Sequence, residues 1–582
     1  MILRGGRAFR RRLRTIPDSK PIPPGLRPRN LYNFARTTPQ LVYPSPALRT
    51  AINVALAIIS GVLFAWSFPN VDAGWLIFIA LLPLFVALTR VESYKGAFVI
   101  GWLSQGVAWL LMVPWVIRVM SHYGGLPYIT GLLIFVAMCA YLGMYGGLFA
   151  VLFHRIAPSI RFRRWLFVPI AWAVVEYIRT YLFSGFPWSL IAASIVDYTP
   201  LVQFDRVAGP YALGVLILLP CTLLAWLVTR GVGGGEWGVG AEANKAAANE
   251  AAASSHPTPP TPHSPTKHTP IFAIAAVAII MFVWWTTGYV AEKVIGRPTP
   301  APVARAGLLQ PNISQEMRWD NDNIVLIYRR MMAMTDEATS HGVNVVIWPE
   351  STVPLSYATT DFYQHAIEDV SRAHGVDIIL GSVAEDAAQP DKLWNAAFLV
   401  SGGRTIGHYD KIRLVPFGEY VPLRKMLFFA HKLVHAVGQF EFGTKDTPLD
   451  GKFRYGPAIC YEVVFPQIPR MQTVHGANVL VTITNDAWYD GTSAPRQHLN
   501  QARLRAIEND RYLLRAGTTG ISAVIDPTGQ IVKQLEMGKQ GIIYADFQPR
   551  TSVTPYVHYG DWFAWVAMMM VIAGMVRLRA RG

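Results

Sequence analysis

Val343-Asn344-Val345-Val346-Ile347-Trp348-Pro349-Glu350 is a short β-branched run closed by a proline and a carboxylate. Such a run reads as a strand, since β-branched side chains fit a pleated, packed surface. Pro349 fixes φ and interrupts the ladder, which helps aim Glu350 into a cleft beyond the strand end. Upstream, Ile324–Ser340 reads as helix. Further strands are expected at Val376–Val383, Asn395–Val400, Thr405–Tyr409, Ala458–Cys460 and Val479–Thr484, with another helical stretch at His498–Arg515. This alternation predicts an α/β sandwich layer across residues 292–560. Asp526-Pro527-Thr528-Gly529, between two apolar strands, predicts a hairpin.

Outside that segment the composition changes. The 582 residues are 52% hydrophobic and only 15% charged, with 18 tryptophans. Soluble proteins carry about 25% charged residues, so much of this surface must face something other than water. Apolar runs long enough to span a bilayer fall near 50–67, 73–89, 96–119, 126–154, 165–183, 207–229, 270–291 and 561–578, roughly eight spans. The net charge of +15 does not call for nucleic acid, because no Lys/Arg stripe interleaved with aromatics occurs in the soluble part.

The charges instead set topology. Arg90 and Lys95, then Arg155, Arg161, Arg163 and Arg164, then Arg230, and finally Arg577, Arg579 and Arg581 occupy alternate connections. The connections 68–72 and 120–125 hold no Lys or Arg. The positive-inside rule then places both termini in the cytoplasm and 292–560 on the outer side. The expected organisation is a basic cytoplasmic tail at 1–49, about seven spans over 50–291, a soluble domain at 292–560, and a last span with a basic tail at 561–582. Residues 231–269, with Gly-Gly-Gly and Pro-Thr-Pro-Pro-Thr-Pro, have linker composition, and His256, His263 and His268 within it read as solvated linker.

Three cysteines exclude a disulfide framework, and Cys139 and Cys221 lie in apolar runs. Cys460 is the only cysteine of the soluble segment and ends Gly456-Pro457-Ala458-Ile459-Cys460-Tyr461-Glu462. Glu350 and Lys411 lie upstream of it. Taken singly, each has an ordinary reading: a core thiol, a surface carboxylate, a salt-bridging lysine. Taken together they are the parts of acyl transfer through a thioester. A thiol attacks, a carboxylate takes its proton and later returns it, and an ammonium holds the developing oxyanion. Glu419 and Glu462 are placed to keep Lys411 charged. No metal or cofactor is expected.

The Trp-Pro-Glu, Tyr-Asp-Lys and Cys-Tyr-Glu elements, in this order, resemble the Glu–Lys–Cys triad of the nitrilase superfamily. Residues 414–422, 482–488, 520–526, 554–556 and 560–562 resemble its membrane-bound branch, the apolipoprotein N-acyltransferases of the bacterial inner membrane. The resemblance covers roughly residues 50–578. It implies a multi-pass α-helical membrane domain carrying an αββα sandwich that faces the periplasm, acting as a monomer. It also implies a reaction: Cys460 takes an acyl chain from a phospholipid, preferentially phosphatidylethanolamine, and passes it to the α-amine of a diacylglyceryl-cysteine on an apolipoprotein. On the same basis Glu350 is the general base, Lys411 the oxyanion partner and Glu419 a support of the intermediate. Tyr461, Glu462 and Trp319 match further positions important to the family. Tyr489-Asp490-Gly491 departs from the Phe-Gly expected there.

Physical chemistry favours a lipid donor as well. Drawing two acyl chains into water would cost on the order of 20 kcal/mol, at about 0.8 kcal/mol per CH₂, so the enzyme must come to the membrane. The apolar segment 423–445 reads either as a helix packed on the domain or as an arm dipping into the interface. Two rivals share parts of this reading. A membrane-tethered amidohydrolase would use the same triad with water as acceptor, and a lipoprotein scaffold would need no intact triad.

Overall fold

The computed structural model describes residues 45–156, 165–233, 269–297, 301–386, 389–420 and 440–579. The segments 1–44, 234–268 and 421–439, which contain most of the expected tail, linker and apolar arm, lie outside the described residues.

The apolar runs form helices. These are α1 (Pro46–Trp66), α2 (Gly74–Leu88), α3 (Tyr94–Met112), α4 (Trp115–Tyr123), α5 (Tyr128–Ile156), α6 (Phe167–Tyr181), α7 (Asp205–Gly233) and α8 (Thr269–Ile295). By length and composition four of the described helices can cross a membrane alone, namely α1, α5, α7 and α8. The broken pair α3–α4, bent by 57°, makes a fifth. The expected span at 96–119 is therefore interrupted, because Pro114 cannot continue the α3 hydrogen-bond ladder. The expected spans at 73–89, 165–183 and 561–578 are helices too, but shorter or less apolar than a lone span requires, and α6 buries the ion pair Glu176–Arg179. Small residues let α3 and α5 approach closely: a methyl group on Gly101 would fall 2.3 Å from the Gly146 carbonyl.

Among the described residues the second half is built on twelve strands: β1 (Ala304–Gln310), β2 (Val345–Ile347), β3 (Asp377–Asp386), β4 (Gln389–Ser401), β5 (Arg404–Asp410), β6 (Leu449–Asp450), β7 (Arg454–Ile459), β8 (Val479–Thr484), β9 (Leu513–Gly517), β10 (Ser522–Ile525), β11 (Ile531–Leu535) and β12 (Gly541–Phe547). They form two six-stranded sheets, β12-β1-β2-β3-β4-β5 and β11-β10-β9-β8-β7-β6. Each sheet has a parallel trio, β1-β2-β3 or β7-β8-β9, flanked by antiparallel strands.

Strand alternation sorts the layers. Val345 and Ile347 face the second sheet and pack with Ile459, Val481 and Leu514. Val346 and Trp348 face outward, against Ile327 and Met331 of α9 (Ile324–Ser340) and Ile367 of α10 (Asp361–His374). The outer face of the second sheet, through Leu480, Leu513 and Ile525, packs on Ile468 of α11 (Gln467–Val474) and Leu499, Ala502 and Ala506 of α12 (Ala494–Asn509). The architecture is an αββα sandwich joined to a helical membrane domain, and the chain closes with α13 (Trp562–Arg579).

One boundary differs from the expected helix at His498–Arg515. The helix α12 ends at Asn509, Asp510 turns left-handed at φ 52°, and Leu513 and Arg515 belong to β9. Tertiary pairing beside β8 draws Leu513-Leu514 into the sheet. The hairpin at Asp526–Gly529 forms as expected, with Gly529 N donating to Asp526 O at 3.0 Å.

Helix α12 also docks on the membrane domain. Gln497 Oε1 accepts from the indole N–H groups of Trp188 (2.7 Å) and Trp115 (3.2 Å). Its Nε2 donates to the carbonyls of Pro69 (2.6 Å) and Met112 (2.8 Å). Arg206 of α7 pairs with Asp510 at 2.8 Å.

Candidate active site

Glu350, Lys411 and Cys460 lie just past the carboxyl ends of β2, β5 and β7, where such folds collect reactive groups. All three side chains are buried. Lys411 Nζ stands 3.2 Å from Glu350 Oε1 and 2.9 Å from Glu419 Oε1. Asn395 on β4 joins the same two oxygens, donating to Glu350 at 2.7 Å and to Glu419 at 2.8 Å. The second oxygen of Glu350 accepts from Asn485 N at 2.9 Å, and that of Glu419 from Val415 N at 2.8 Å. The main chain completes the frame: Lys411 N donates to Asn395 O, and Gly443 N to Lys411 O, each at 2.8 Å.

These contacts fix charge states. Burial pushes the Glu350 carboxyl up, but Lys411, Asn395 and the Asn485 N–H outweigh it and hold the group below the usual carboxylate range. Burial pulls Lys411 down, and Glu350 and Glu419 more than reverse this, leaving a permanent ammonium. Burial, reinforced by the Glu350 charge, pushes the Cys460 thiol up, with Lys411 opposing. The resting arrangement is thus carboxylate, ammonium and neutral thiol, which suits proton transfer to Glu350 during attack rather than a standing thiolate.

Cys460 is held at φ 50°, in the left-handed region that non-glycine residues rarely adopt. Glu462 secures that turn. Its Oε2 accepts from Ile459 N at 2.7 Å, while Oε1 accepts from Ile412 N (2.6 Å), Arg413 N (3.0 Å) and the Tyr409 hydroxyl (3.0 Å). One carboxylate thereby ties the strand carrying Cys460 to the segment carrying Lys411. It makes no hydrogen bond to Lys411.

The Tyr461 hydroxyl donates to Gly185 O of the membrane domain at 3.3 Å, and its ring meets Phe465 edge-on at 5.1 Å. Trp319 is 41% exposed. It forms an aromatic cluster with Trp488 (5.6 Å) and Tyr123 of the membrane domain (5.9 Å), and the Tyr123 hydroxyl donates to Ala487 O at 3.1 Å. Through Gln315, whose Oε1 accepts from Asn485 Nδ2 at 3.0 Å, the short helix bearing Trp319 touches the loop that holds Glu350. Tyr489, where the sequence departs from the motif it resembles, packs edge-on against Trp115 at 4.9 Å.

Asn395 was not singled out by sequence reasoning, although it is a lone carboxamide at the head of the apolar run Ala396–Val400. The buried group Asp486, His498 and Arg515 escaped notice too, its members being brought together only by folding.

Comparison with known proteins agrees with this architecture. Residues 305–556 match the carbon-nitrogen hydrolase family, and residues 60–223 match the apolipoprotein N-acyltransferase N-terminal domain. An apolipoprotein N-acyltransferase of Geobacter metallireducens is 33% identical over 534 residues, covering 89% of this chain and 94% of that protein. Those of Methylococcus capsulatus and Caulobacter vibrioides are each 30% identical, covering 90% of this chain and 96% and 94% of theirs. Sequence, membrane helices and αββα sandwich agree, and the chain belongs to the apolipoprotein N-acyltransferase family, an acyltransferase of the nitrilase superfamily.

Proposed function

We propose that this enzyme moves an acyl chain from a phospholipid, with phosphatidylethanolamine as preferred donor, to the α-amine of a diacylglyceryl-cysteine through a thioester on Cys460. The observation that carries the reading is the convergence of Cys460 with the ion-paired Glu350 and Lys411 in a chain anchored by membrane-spanning helices. In the first half-reaction Cys460 Sγ attacks the ester carbonyl carbon as Glu350 accepts the thiol proton. Lys411 balances the oxyanion. The ester C–O bond then breaks, and Glu350 returns the proton to the departing lysophospholipid oxygen. In the second, the amine attacks the thioester carbon, Glu350 receives its proton, and the C–S bond breaks to give an amide and the restored thiol. Glu419 supports the intermediate by holding Lys411. Tyr461, Glu462 and Trp319 shape the site without joining the proton transfers.

The Lys/Arg-bearing connections support a topology with both termini in the cytoplasm and the sandwich in the periplasm of the inner membrane. On this reading residues 1–49 and 231–269 are cytoplasmic.

Purified enzyme incubated with phosphatidylethanolamine should gain one acyl mass on the peptide containing Cys460, removable by hydroxylamine. Absence of the adduct, or an equal adduct on Cys460→Ser, overturns the thioester route. A diacylglyceryl peptide should then discharge it to a triacylated product. Release of free fatty acid in its place would make the protein a hydrolase.

A further inference from the structure

Against the main chain of Cys460 lies a fully buried polar group that the reaction above does not use. His498 of α12 places Nε2 2.9 Å from the Cys460 carbonyl oxygen. A carbonyl only accepts, so Nε2 carries the hydrogen. Its Nδ1 lies 3.1 Å from Arg515 NH2 and 3.3 Å from Asp486 Oδ1. Arg515 NH2 in turn reaches Asp486 Oδ2 at 2.5 Å, and Thr484 Oγ1 donates to Asp486 Oδ1 at 2.7 Å. Burial, and then the Arg515 charge, hold His498 below the usual imidazole range. A neutral ring with hydrogen on Nε2 takes the Arg515 donor at Nδ1, so the tautomer is fixed from behind. Trp188 of the membrane domain stacks over the ring at 5.5 Å and 25°.

We propose that His498 is a positioning residue for acyl transfer: by donating to the Cys460 carbonyl it holds the left-handed turn that presents Sγ to Glu350 and Lys411. A non-glycine residue at φ 50° costs roughly 1–3 kcal/mol and persists only where its surroundings over-determine it. Glu462 fixes the residue before Cys460 through Ile459 N, and His498 fixes the peptide after it. Asp486 and Arg515 set the ring's tautomer, and Trp188 its plane. His498 is no proton acceptor for the thiol, because its Nε2–H is engaged by the backbone and its Nδ1 faces Arg515.

The inference rests on Cys460 being the acylated thiol, and the test separates the two. Full-length wild type, His498→Phe, His498→Gln and His498→Asn are given phosphatidylethanolamine vesicles, and the Cys460 adduct is timed by mass spectrometry. Gln carries its carboxamide nitrogen near the Nε2 position, whereas Asn stops short of it. Phe and Asn should slow acylation at least about tenfold, the rate equivalent of one lost buried hydrogen bond, with KM for the lipid unchanged. Gln should restore the rate to within about threefold of wild type, and the same order should appear in alkylation by iodoacetamide. Wild-type rates in Phe or Asn, or a folded Gln variant as slow as Asn, overturn the proposal. If Phe does not fold, the Gln–Asn comparison decides alone. Absence of any adduct on wild type would sink the Cys460 reading itself.

Discussion

The carboxamide of Asn395 donates to Glu350 Oε1 at 2.7 Å, and the same nitrogen reaches Glu419 Oε1 at 2.8 Å. One neutral side chain thus sits with Lys411 between two buried carboxylates and donates to both. Asn395→Asp keeps the shape but adds a third negative charge, which must raise the affinity of the cluster for protons. The expected result is a fall of about 100-fold or more in Cys460 acylation at pH 7, partly recovered by Asn395→Gln only if the longer amide still reaches both oxygens. Single-turnover acylation measures this, and an Asp variant at wild-type rate would show that Asn395 does not govern the pair.

Glu462 offers a second test, since both its oxygens accept and none donates. Glu462→Gln must turn an amide N–H toward at least one backbone N–H. Each donor left without a partner costs about 1–3 kcal/mol, so the isosteric variant should lose stability and acylation nearly as severely as Glu462→Ala. A Gln variant matching wild type in both would mean that the clamp is dispensable.

The charge states of Glu350, Lys411 and Cys460 predict little pH dependence of their own. Glu350 is depressed, so its ion-pair stabilisation is complete above the ordinary glutamate value of about 4.3 and is lost as pH falls through the lowered one. Lys411 is raised, so its contribution is complete below the ordinary lysine value of about 10.4 and is lost only above it. With the thiol pushed up, no thiolate accumulates between these limits. These three groups therefore add little change from about pH 5 to pH 9, and the modest step expected near neutrality belongs to Glu462, whose carboxyl burial pushes up to about 7 and whose protonation removes an acceptor from the clamp. A rate rising about tenfold per pH unit across neutrality would mark a freely titrating thiol instead.

Gln497 should prove as important to folding as a core residue. Gln497→Leu leaves two indole N–H groups and two carbonyls of the membrane domain without their partner. The expected loss is about 3–6 kcal/mol, visible as a lowered unfolding temperature in detergent. An unchanged temperature would show that these groups find other partners.

What could be foreseen from the chain depended on how local the cause was. Val345-Val346-Ile347 announces a strand by composition, and the helix Ile324–Ser340 keeps the bounds expected from sequence. Glu350, Lys411, Glu419 and Cys460 sit in compact motifs that carry their own neighbourhood. Asn395 and His498 do not, because what gives each its role is a partner on another strand or helix. The break at Pro114 and the end of α12 at Asn509 were missed for a related reason. An apolar run states that a segment avoids water, but bending and strand pairing are decided by what packs beside it.

Gln497 and His498 are neighbours on one helix, the first gripping the membrane domain and the second touching the Cys460 carbonyl. On the proposed mechanism the Cys460 sulfur therefore stands at a set height over the spanning helices, like a tool on a fixed post. No hinge separates anchor from chemistry along this route. If the proposed reaction holds, substrates differing in how far their reactive carbon protrudes from the bilayer must adjust to the enzyme, which makes depth in the membrane a criterion of selection alongside chemical identity.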